Sequence, residues 1–292
     1  MNSKSIKKWL ALVLVIALIL GTVAWISRPD DKVHVYFLDV GQGDATLIRQ
    51  GNLDILIDGG PSPQAITTEL GKRLPFWDRS IELVVMTHPH ADHMTGLVEV
   101  LNRYQVGEVL YPDISYASPE EYDEALFNEW LRLIEQKNIK STLARTYLEL
   151  SVGDIVIEVL NPPATPLSGT ESDIDNNSVV LQVRAGEISF LVTGDLMWEG
   201  ELEIAYERLL PQSTLLKVAH HGSDTSTSDE FLNVLMPQIA VISVGENDYG
   251  HPKAEVLERL AGRLGASNIY RTDKRGTIEF ITDGRRLWVR GT

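Results

Sequence analysis

Three of the chain's seven histidines fall in one short segment, Thr87-His88-Pro89-His90-Ala91-Asp92-His93, with the pattern H-x-H-x-D-H. Neutral imidazole is the commonest metal ligand, and a carboxylate beside it suits a divalent hydrolytic metal. The chain has no cysteine. Thiolate sites, disulfides and a lipid-modified cysteine are therefore excluded, and imidazole and carboxylate must do any metal chemistry. A bland reading, a polar loop that happens to be histidine-rich, is weakened by what precedes it. Ile81 to Met86 is apolar and rich in β-branched residues, so it reads as a buried strand. The histidines are then expected in the loop at a strand's end, where an α/β sheet usually carries its chemistry.

Three more apolar runs end in a candidate ligand or its support. Asp58 follows in Ile57-Asp58-Gly59-Gly60, Asp195 comes after Phe190 to Thr193, and His220-His221 comes after Leu215 to Ala219. Each is weak alone, since an aspartate before glycine is most often a turn residue and a His-His pair often marks a polar strand end. Together, and in this order, they form a set. His251, between Gly250 and Pro252, reads equally as a structural loop histidine or as a group that touches substrate or protonates a leaving group. Asp39, Gln42 and Asp44 read as shaping their loop. His34 reads as surface or edge strand.

The elements needed to position these residues are legible in outline. Strands are predicted over Val33–Val40, Ala45–Arg49, Leu53–Ile57, Ile81–Met86, Val106–Leu110, Asp154–Leu160, Ser178–Val183, Ile188–Val192, Leu215–Ala219 and Ile239–Val244. Three more, Ile269–Thr272, Thr277–Ile281 and Leu287–Arg290, close the chain. Helices are predicted over Ala65–Leu74, Thr95–Tyr104, Pro119–Lys137, Glu199–Leu210 and Ala254–Leu264. With no repeat and no long linker, residues 31–292 should form one α/β domain of two sheets covered by helices.

Residues 1–30 read differently. Lys4, Lys7 and Lys8 precede an uncharged apolar run from Trp9 to Ile26, 18 residues long and near the minimum for a membrane span. The lysine bias predicts a cytoplasmic tip, a single-pass transmembrane anchor and an extracytoplasmic domain. The competing reading is a signal peptide cut after Thr22-Val23-Ala24, which would give a secreted domain. Trp25 and Ile26 continue the apolar run and favour retention. The remaining domain has 22 basic and 40 acidic residues, a net charge of −18. Such a surface repels polyanions and argues against a broad nucleic-acid-binding face. Metal ions could still supply positive charge locally.

The order of these motifs resembles the metallo-β-lactamase superfamily. It is more closely similar to the hydrolase domain at the C-terminal end of the ComEC-type competence proteins, which take up DNA. Further matching stretches are Phe37-Leu38-Asp39-Val40-Gly41-Gln42-Gly43-Asp44-Ala45, Leu216-Lys217-Val218-Ala219-His220-His221-Gly222-Ser223, Tyr249-Gly250-His251-Pro252 and Tyr270-Arg271-Thr272-Asp273. The resemblance implies an αββα sandwich with two divalent metal ions. His88 and His90 would hold one ion, and Asp92, His93 and His221 the other, with Asp195 bridging both. His221 is preferred to His220 because it precedes a small residue, Gly222. His220 remains a support or alternative ligand, and Asp58 would orient a ligand histidine. Asp92 would additionally orient the attacking hydroxide, while Ser223 and His251 would face the substrate.

One departure matters. Most of the superfamily supplies a further histidine before the bridging aspartate, and none occurs here from Met94 to Ala219. The matching stretch is Asp175-Asn176-Asn177-Ser178, in which Asn177 and Ser178 are supports or candidate oxygen ligands. An oxygen-richer site favours manganese relative to zinc, and both metals stay open. Two such ions about 3.5–4 Å apart activate a water and bind the scissile group. The implied function is a membrane-anchored phosphodiesterase or nuclease related to DNA uptake, with single-stranded DNA as the polymer substrate. Alternatives are hydrolysis of another ester, a lactone or a β-lactam, or a non-catalytic metal-binding module of an envelope or uptake complex. Fold alone does not choose among them.

Overall fold

The computed structural model describes residues 3–26 and 30–290, and the chain divides into two units, Met1–Asp31 and Lys32–Thr292. In the first, helix α1 runs over Ser3–Ile26, 24 residues rich in Leu, Ala and Ile, good or tolerable helix formers with no proline to interrupt them. Among the described residues, no helix is long and apolar enough to cross a membrane. The side chains of residues 19–20 and 23–26, within the apolar run, lie outside the described ones, as does the Val23-Ala24 part of the candidate cleavage site. The expected transmembrane anchor is therefore not shown by α1.

The second unit is a sandwich of two sheets. The first eight elements of its β-structure are β1 (Val33–Phe37), β2 (Thr46–Gln50), β3 (Leu53–Ile57), β4 (Ser80–Val85), β5 (Gln105–Pro112), β6 (Lys140–Ala144), β7 (Glu149–Val152) and β8 (Ile155–Asn161). They are followed by β9 (Val180–Ala185), β10 (Ile188–Val192), β11 (Leu215–Lys217), β12 (Ile239–Ile242), β13 (Ile269–Arg271), β14 (Ile278–Thr282) and β15 (Leu287–Arg290). One sheet has the order β15-β14-β1-β2-β3-β4-β5-β6, and the other β13-β12-β11-β10-β9-β8-β7. Helices α2 (Pro63–Arg73), α3 (Ala91–Arg103) and α4 (Glu124–Lys137) belong to the first half of the domain. α5 (Asp173–Asn176), α6 (Trp198–Tyr206), α7 (Asp229–Leu235), α8 (Ala254–Leu264) and α9 (Thr272–Arg275) belong to the second.

Side chains that alternate along a strand reach opposite faces. Val35, Phe37, Ile55 and Ile57 of the first sheet share one core with Ile157, Val159, Leu181 and Phe190 of the second. Leu56, Val84 and Met86 face outward onto Leu97, Val100 and Trp130 of α3 and α4. On the far side, Leu191, Leu216 and Ala240 pack with Ile204, Phe231 and Leu260 of α6, α7 and α8. The expected αββα sandwich is the observed one.

Several boundaries differ from expectation, each for a local reason. α3 begins at Ala91, not Thr95, so Asp92 and His93 lie on its first turn instead of in a loop. An acidic residue there complements the positive end of the helix dipole. The stretch Pro119–Lys137 is broken: a 3-10 turn covers Pro119–Glu121, and α4 starts afresh where the Asp123 side chain accepts from Leu126 N–H at 2.9 Å. α5, α7 and α9 have no counterpart in the sequence pattern, because elements this short carry too little periodicity, while β6 and β7 fall at the start of the stretch Thr142–Val183, which reads as β-like without resolved strands there. β1 is interior, between β14 and β2, and His34 Nδ1 lies 2.8 Å from Glu279 on β14, which corrects the edge-strand reading.

Candidate metal centre

β3, β4 and β5 run parallel to one another, as do β10, β11 and β12. The carboxyl ends of β3, β4, β10, β11 and β12 deliver Asp58, Thr87-His88, Asp195, His220-His221 and Ser243 to one place. α3 is drawn tightly onto the Asp58 loop. A Cβ at Gly96 would sit 1.9 Å from the Gly59 carbonyl oxygen, and one at Gly59 would sit 2.4 Å from Leu97 N. Only glycine permits this approach, which fixes the first turn carrying Asp92 and His93 against the end of β3.

Two ligand groups result. His88 Nε2 and His90 Nδ1 lie 3.5 and 3.2 Å from Asp175 Oδ1. Asp92 Oδ2 is 3.2 Å from His221 Nε2 and 3.9 Å from His93 Nε2. Asp195 reaches into both groups. Its Oδ1 is 3.3 Å from His93 Nε2, and its Oδ2 is 3.5 Å from His221 Nε2 and 3.9 Å from His88 Nε2. Buried polar atoms normally have partners. Here His88 Nε2, His93 Nε2, His221 Nε2, Asp175 Oδ1 and Asp195 Oδ1 are buried with no hydrogen-bond partner. A convergence of unpartnered nitrogen and carboxylate oxygen atoms fits divalent cations.

The outer ring nitrogens explain why those lone pairs point inward. His93 Nδ1 is 2.9 Å from Asp58 Oδ2, His221 Nδ1 is 2.9 Å from Ser243 O, and His90 Nε2 is 3.0 Å from Glu121 O. Thr87 Oγ1 donates to Asp58 Oδ2 at 2.7 Å, which leaves it to accept from His88 Nδ1 at 3.0 Å. Each acceptor takes the N–H of its ring, so once a ring is neutral the network selects the tautomer whose free nitrogen faces the cluster. Asp58 thus lies behind His93, on the side of the ring away from the cluster. It also accepts from Thr87 N–H at 2.8 Å, so one carboxylate aligns both the end of β4 and His93.

Charge is concentrated here. Burial raises the Asp195 carboxyl, but the imidazoles of His221, His93 and His220 outweigh it and hold the group well below its usual range. Burial lowers His93 and His221, yet the facing carboxylates, Asp195 first, push both well above the ordinary histidine value. His88 is pushed well down by burial and then by the charges of His93 and His90. Burial likewise opposes Asp92, but His93 and His221 bring it to about 2.

The other anticipated residues separate into groups. His220 Nε2 is 3.9 Å from Asp195 Oδ2, while its Nδ1 is 3.1 Å from Thr225 Oγ1. Ser223 Oγ bonds the same Thr225 hydroxyl at 2.9 Å from a buried position and so steadies the His220 loop. Ser178 Oγ accepts from Asp195 N–H at 3.3 Å and supports the shared carboxylate. Asn177 is not brought to the cluster. Its amide is spent on Leu167 N–H and O, at 2.8 and 2.9 Å, and on Asp173 O at 2.8 Å. His251 is at the mouth of the site, its ring centroid 5.7 Å from that of His220. Burial, then the neighbouring imidazole charges, lowers it to about 4.

Two residues escape the sequence reading. Asp175, not Asn177 or Ser178, is the residue of the stretch Asp175–Ser178 that stands against His88 and His90. Its signal is its position in the matching stretch. The second is Lys217, fully buried on β11 and ion-paired with buried Asp44. A lysine inside an apolar strand must be paired, and that rule could have found it. Asp44 Oδ1 in turn lies 3.4 Å from His221 Nδ1. Backbone strain adds to the picture, since Asp58, His220 and His221 all have left-handed φ, 58°, 49° and 53°, which costs about 1–3 kcal/mol at each non-glycine residue.

A two-sheet sandwich with imidazole and carboxylate groups gathered at its strand ends is a fold whose site is suited to divalent metal. The chain belongs to the metallo-β-lactamase superfamily, whose family model matches residues 38–246. It is similar to ComE operon protein 3 of Bacillus subtilis (strain 168), 29% identical over 267 residues, which is 85% of this chain and 33% of that protein. Competence protein ComA of Neisseria gonorrhoeae is 31% identical over 257 residues, 86% of this chain and 33% of that protein. The chain thus spans about a third of the length of these relatives. Among solved structures, the metallo-β-lactamase fold protein YhfI from Bacillus subtilis aligns with a TM-score of 0.59 at 11% identity, over 86% of this chain and 100% of that one. That likeness is one of fold.

Proposed function

We propose that the chain is a metal-dependent phosphodiesterase that acts on single-stranded DNA, held at the outer face of the cell membrane by residues 1–30. The observation that carries the hydrolytic reading is the set of buried, unpartnered ligand atoms of His88, His93, His221, Asp175 and Asp195, the last three of which line a cavity of about 500 Å³. Two divalent ions there, manganese or zinc, would acidify water and grip the phosphoryl oxygens. The oxygen-rich half formed with Asp175 favours manganese. The chain's own groups do the rest. Asp92 stays ionised across the physiological range and lines the cavity, so its carboxylate can accept a hydrogen bond from the attacking water. His251 also lines the cavity. Its neutral ring keeps one N–H to offer the leaving oxygen.

The competence relatives support a nucleic-acid substrate, and the domain charge of −18 limits how it binds. Without a basic groove few phosphates are neutralised. Affinity should be weak and should fall by somewhat less than one decade per decade of salt for each phosphate held. A small chromogenic diester should then be cut too. The test is hydrolysis of that diester and of labelled single-stranded DNA with added manganese or zinc, using Asp195→Asn as the control. Activity on a lactone or ester, with neither diester cut, would refute this reading.

The anchor is supported by the lysine bias and the 18-residue apolar run Trp9–Ile26. Protease added to cells stripped of their wall should digest the domain. Protection until lysis would refute the orientation, and a mature N-terminus at Trp25 would refute retention.

A further inference from the structure

The loop from Gly245 to Lys253 stands at the mouth of the metal centre. Asn247 ties it together: its Oδ1 accepts from His251 N–H at 3.0 Å, and its Nδ2 donates to His251 O at 3.0 Å and Gly245 O at 2.9 Å. Both ends of the loop are fixed. Gly245 N–H donates to Gln42 Oε1 at 3.2 Å, and Lys253 N–H donates to Gly222 O at 2.9 Å. A Cβ on Gly245 would lie 2.4 Å from the Gly41 backbone carbon, so the loop is pressed against its neighbour with no slack. On this fixed loop Tyr249 is 68% exposed.

Tyr249 ends a series of rings that leads outward from the metal centre. Centroids step 6.3 Å from His221 to His220, 5.7 Å from His220 to His251, and 5.7 Å from His251 to Tyr249, the last pair inclined at 27°. Tyr249 and His251 line the same cavity as Asp92, Asp175 and Asp195. A large ring left in water on a fixed loop gains nothing from burial. Its free face is available to a flat ligand.

We infer that Tyr249 is a stacking platform for an unpaired nucleobase next to the scissile phosphate, and so sets the site's preference for base-bearing diesters. This rests on the phosphodiesterase reading and adds the recognition group. Charge decides between base and backbone as the thing recognised. Glu246 and Asp248 are acidic neighbours on either side of Asn247 and repel phosphates. The nearby cation, Lys253, has its Nζ engaged with Tyr249 O at 2.9 Å. Two carboxylates against that one lysine leave this loop net negative, so it favours a base on the π-face over a backbone, while the metal centre would hold one phosphate. Stacking is indifferent to base identity, and a base in a duplex already has its faces covered, so single strands are preferred.

The test is fluorescence anisotropy with the full chain in detergent, in manganese. The probes are a labelled phosphorothioate oligothymidylate, which resists cleavage, and an abasic oligomer of the same length and backbone. The wild type should bind the base-bearing strand more tightly. Tyr249→Ala should weaken that strand roughly tenfold, within the usual range for one stacked base, and leave the abasic strand where it was. Tyr249→Phe should keep the preference, because the ring and not the hydroxyl is used. Equal binding of the two strands by the wild type, an equal loss on both with Tyr249→Ala, or no binding of either overturns the platform. Binding is read separately from hydrolysis. A Tyr249-dependent base preference in a chain that cuts no diester sinks the phosphodiesterase reading alone, and diester cleavage without the preference sinks the platform alone.

Discussion

The two halves of the ligand cluster are built to different standards. Around His93 and His221 both rings are buried, with Asp92 alone partly exposed, and each ring is held from behind by a group fixed at a strand end, Asp58 after β3 and the Ser243 carbonyl after β12. Around His90 and Asp175 the support is lighter. The His90 side chain is 33% exposed and leans on the backbone of the 3-10 turn Pro119–Glu121. Asp175 rides on the four-residue helix α5, whose N-cap Ser172 accepts from Asp175 N–H at 3.2 Å. Groups locked by packing and by outer hydrogen bonds hold a metal with less reorganisation. The half held by Asp58 and Ser243 should therefore bind its ion more tightly, and the half with Asp175 should lose its ion first.

The hardest blow to that asymmetry is at the residue both halves share. Asp195→Asn should abolish hydrolysis and strip metal from both positions, leaving far less metal than His251→Ala, which touches only the mouth. Metal analysis of the purified variants checks this. Equal metal in wild type and Asp195→Asn would show that the carboxylate is not shared. Next in size, Asp175→Ala should remove about one metal equivalent and leave the other, and Asp175→His should restore it, since imidazole is the commonest ligand. If Asp175→Ala retains both, the assignment of Asp175 fails. Smaller still, Asp58→Asn should weaken the buried position by about 10–100-fold, as loss of an orienting partner typically does. Titration with a competing chelator reads this directly, and a loss confined to the Asp175 half would reverse the comparison.

The same contrast explains what is legible in the sequence. The H-x-H-x-D-H segment stands out because histidine is scarce here and the apolar strand before it is long enough to read. Asp195 and His221 follow from the same pattern of an apolar run ending in a ligand. Asp175 does not stand out. It is one of 41 acidic residues, on a helix too short to show a period, and only its position marks it. The two-sheet layering is readable because apolar strands and helical stretches recur along the whole domain, and the αββα order comes with the family resemblance. The start of α3 is hidden because its first turn holds polar ligands where an apolar stripe would be sought. The left-handed φ of Asp58, His220 and His221 falls on residue types that adopt it more often than most, but that preference is too weak to mark the positions.

The smallest effect is one of pH, and its sign follows from the protonation of the buried half. Burial opposes charge on His93 and His221, but Asp195 and the neighbouring carboxylates push both rings well above the ordinary histidine range. A folded-state pKa above the unfolded value stabilises the fold below about pH 6.5, the unfolded value. That stabilisation is lost as pH rises through the raised values. His88 and His251, both lowered, act in the opposite window: below about pH 6.5 the unfolded chain takes up protons that the folded chain refuses. The metal-free protein should thus be most stable near neutrality and soften on the alkaline side. Cations must displace the protons from His93 and His221, so metal uptake at about pH 7 should release acid into a weakly buffered solution. The rise in melting temperature on adding manganese should therefore grow from about pH 6.5 to about pH 8.5. Differential scanning calorimetry with and without metal measures it. A stabilisation that is flat across that range, with no proton release, would mean that the buried rings are already neutral and that the two halves are not distinguished by charge.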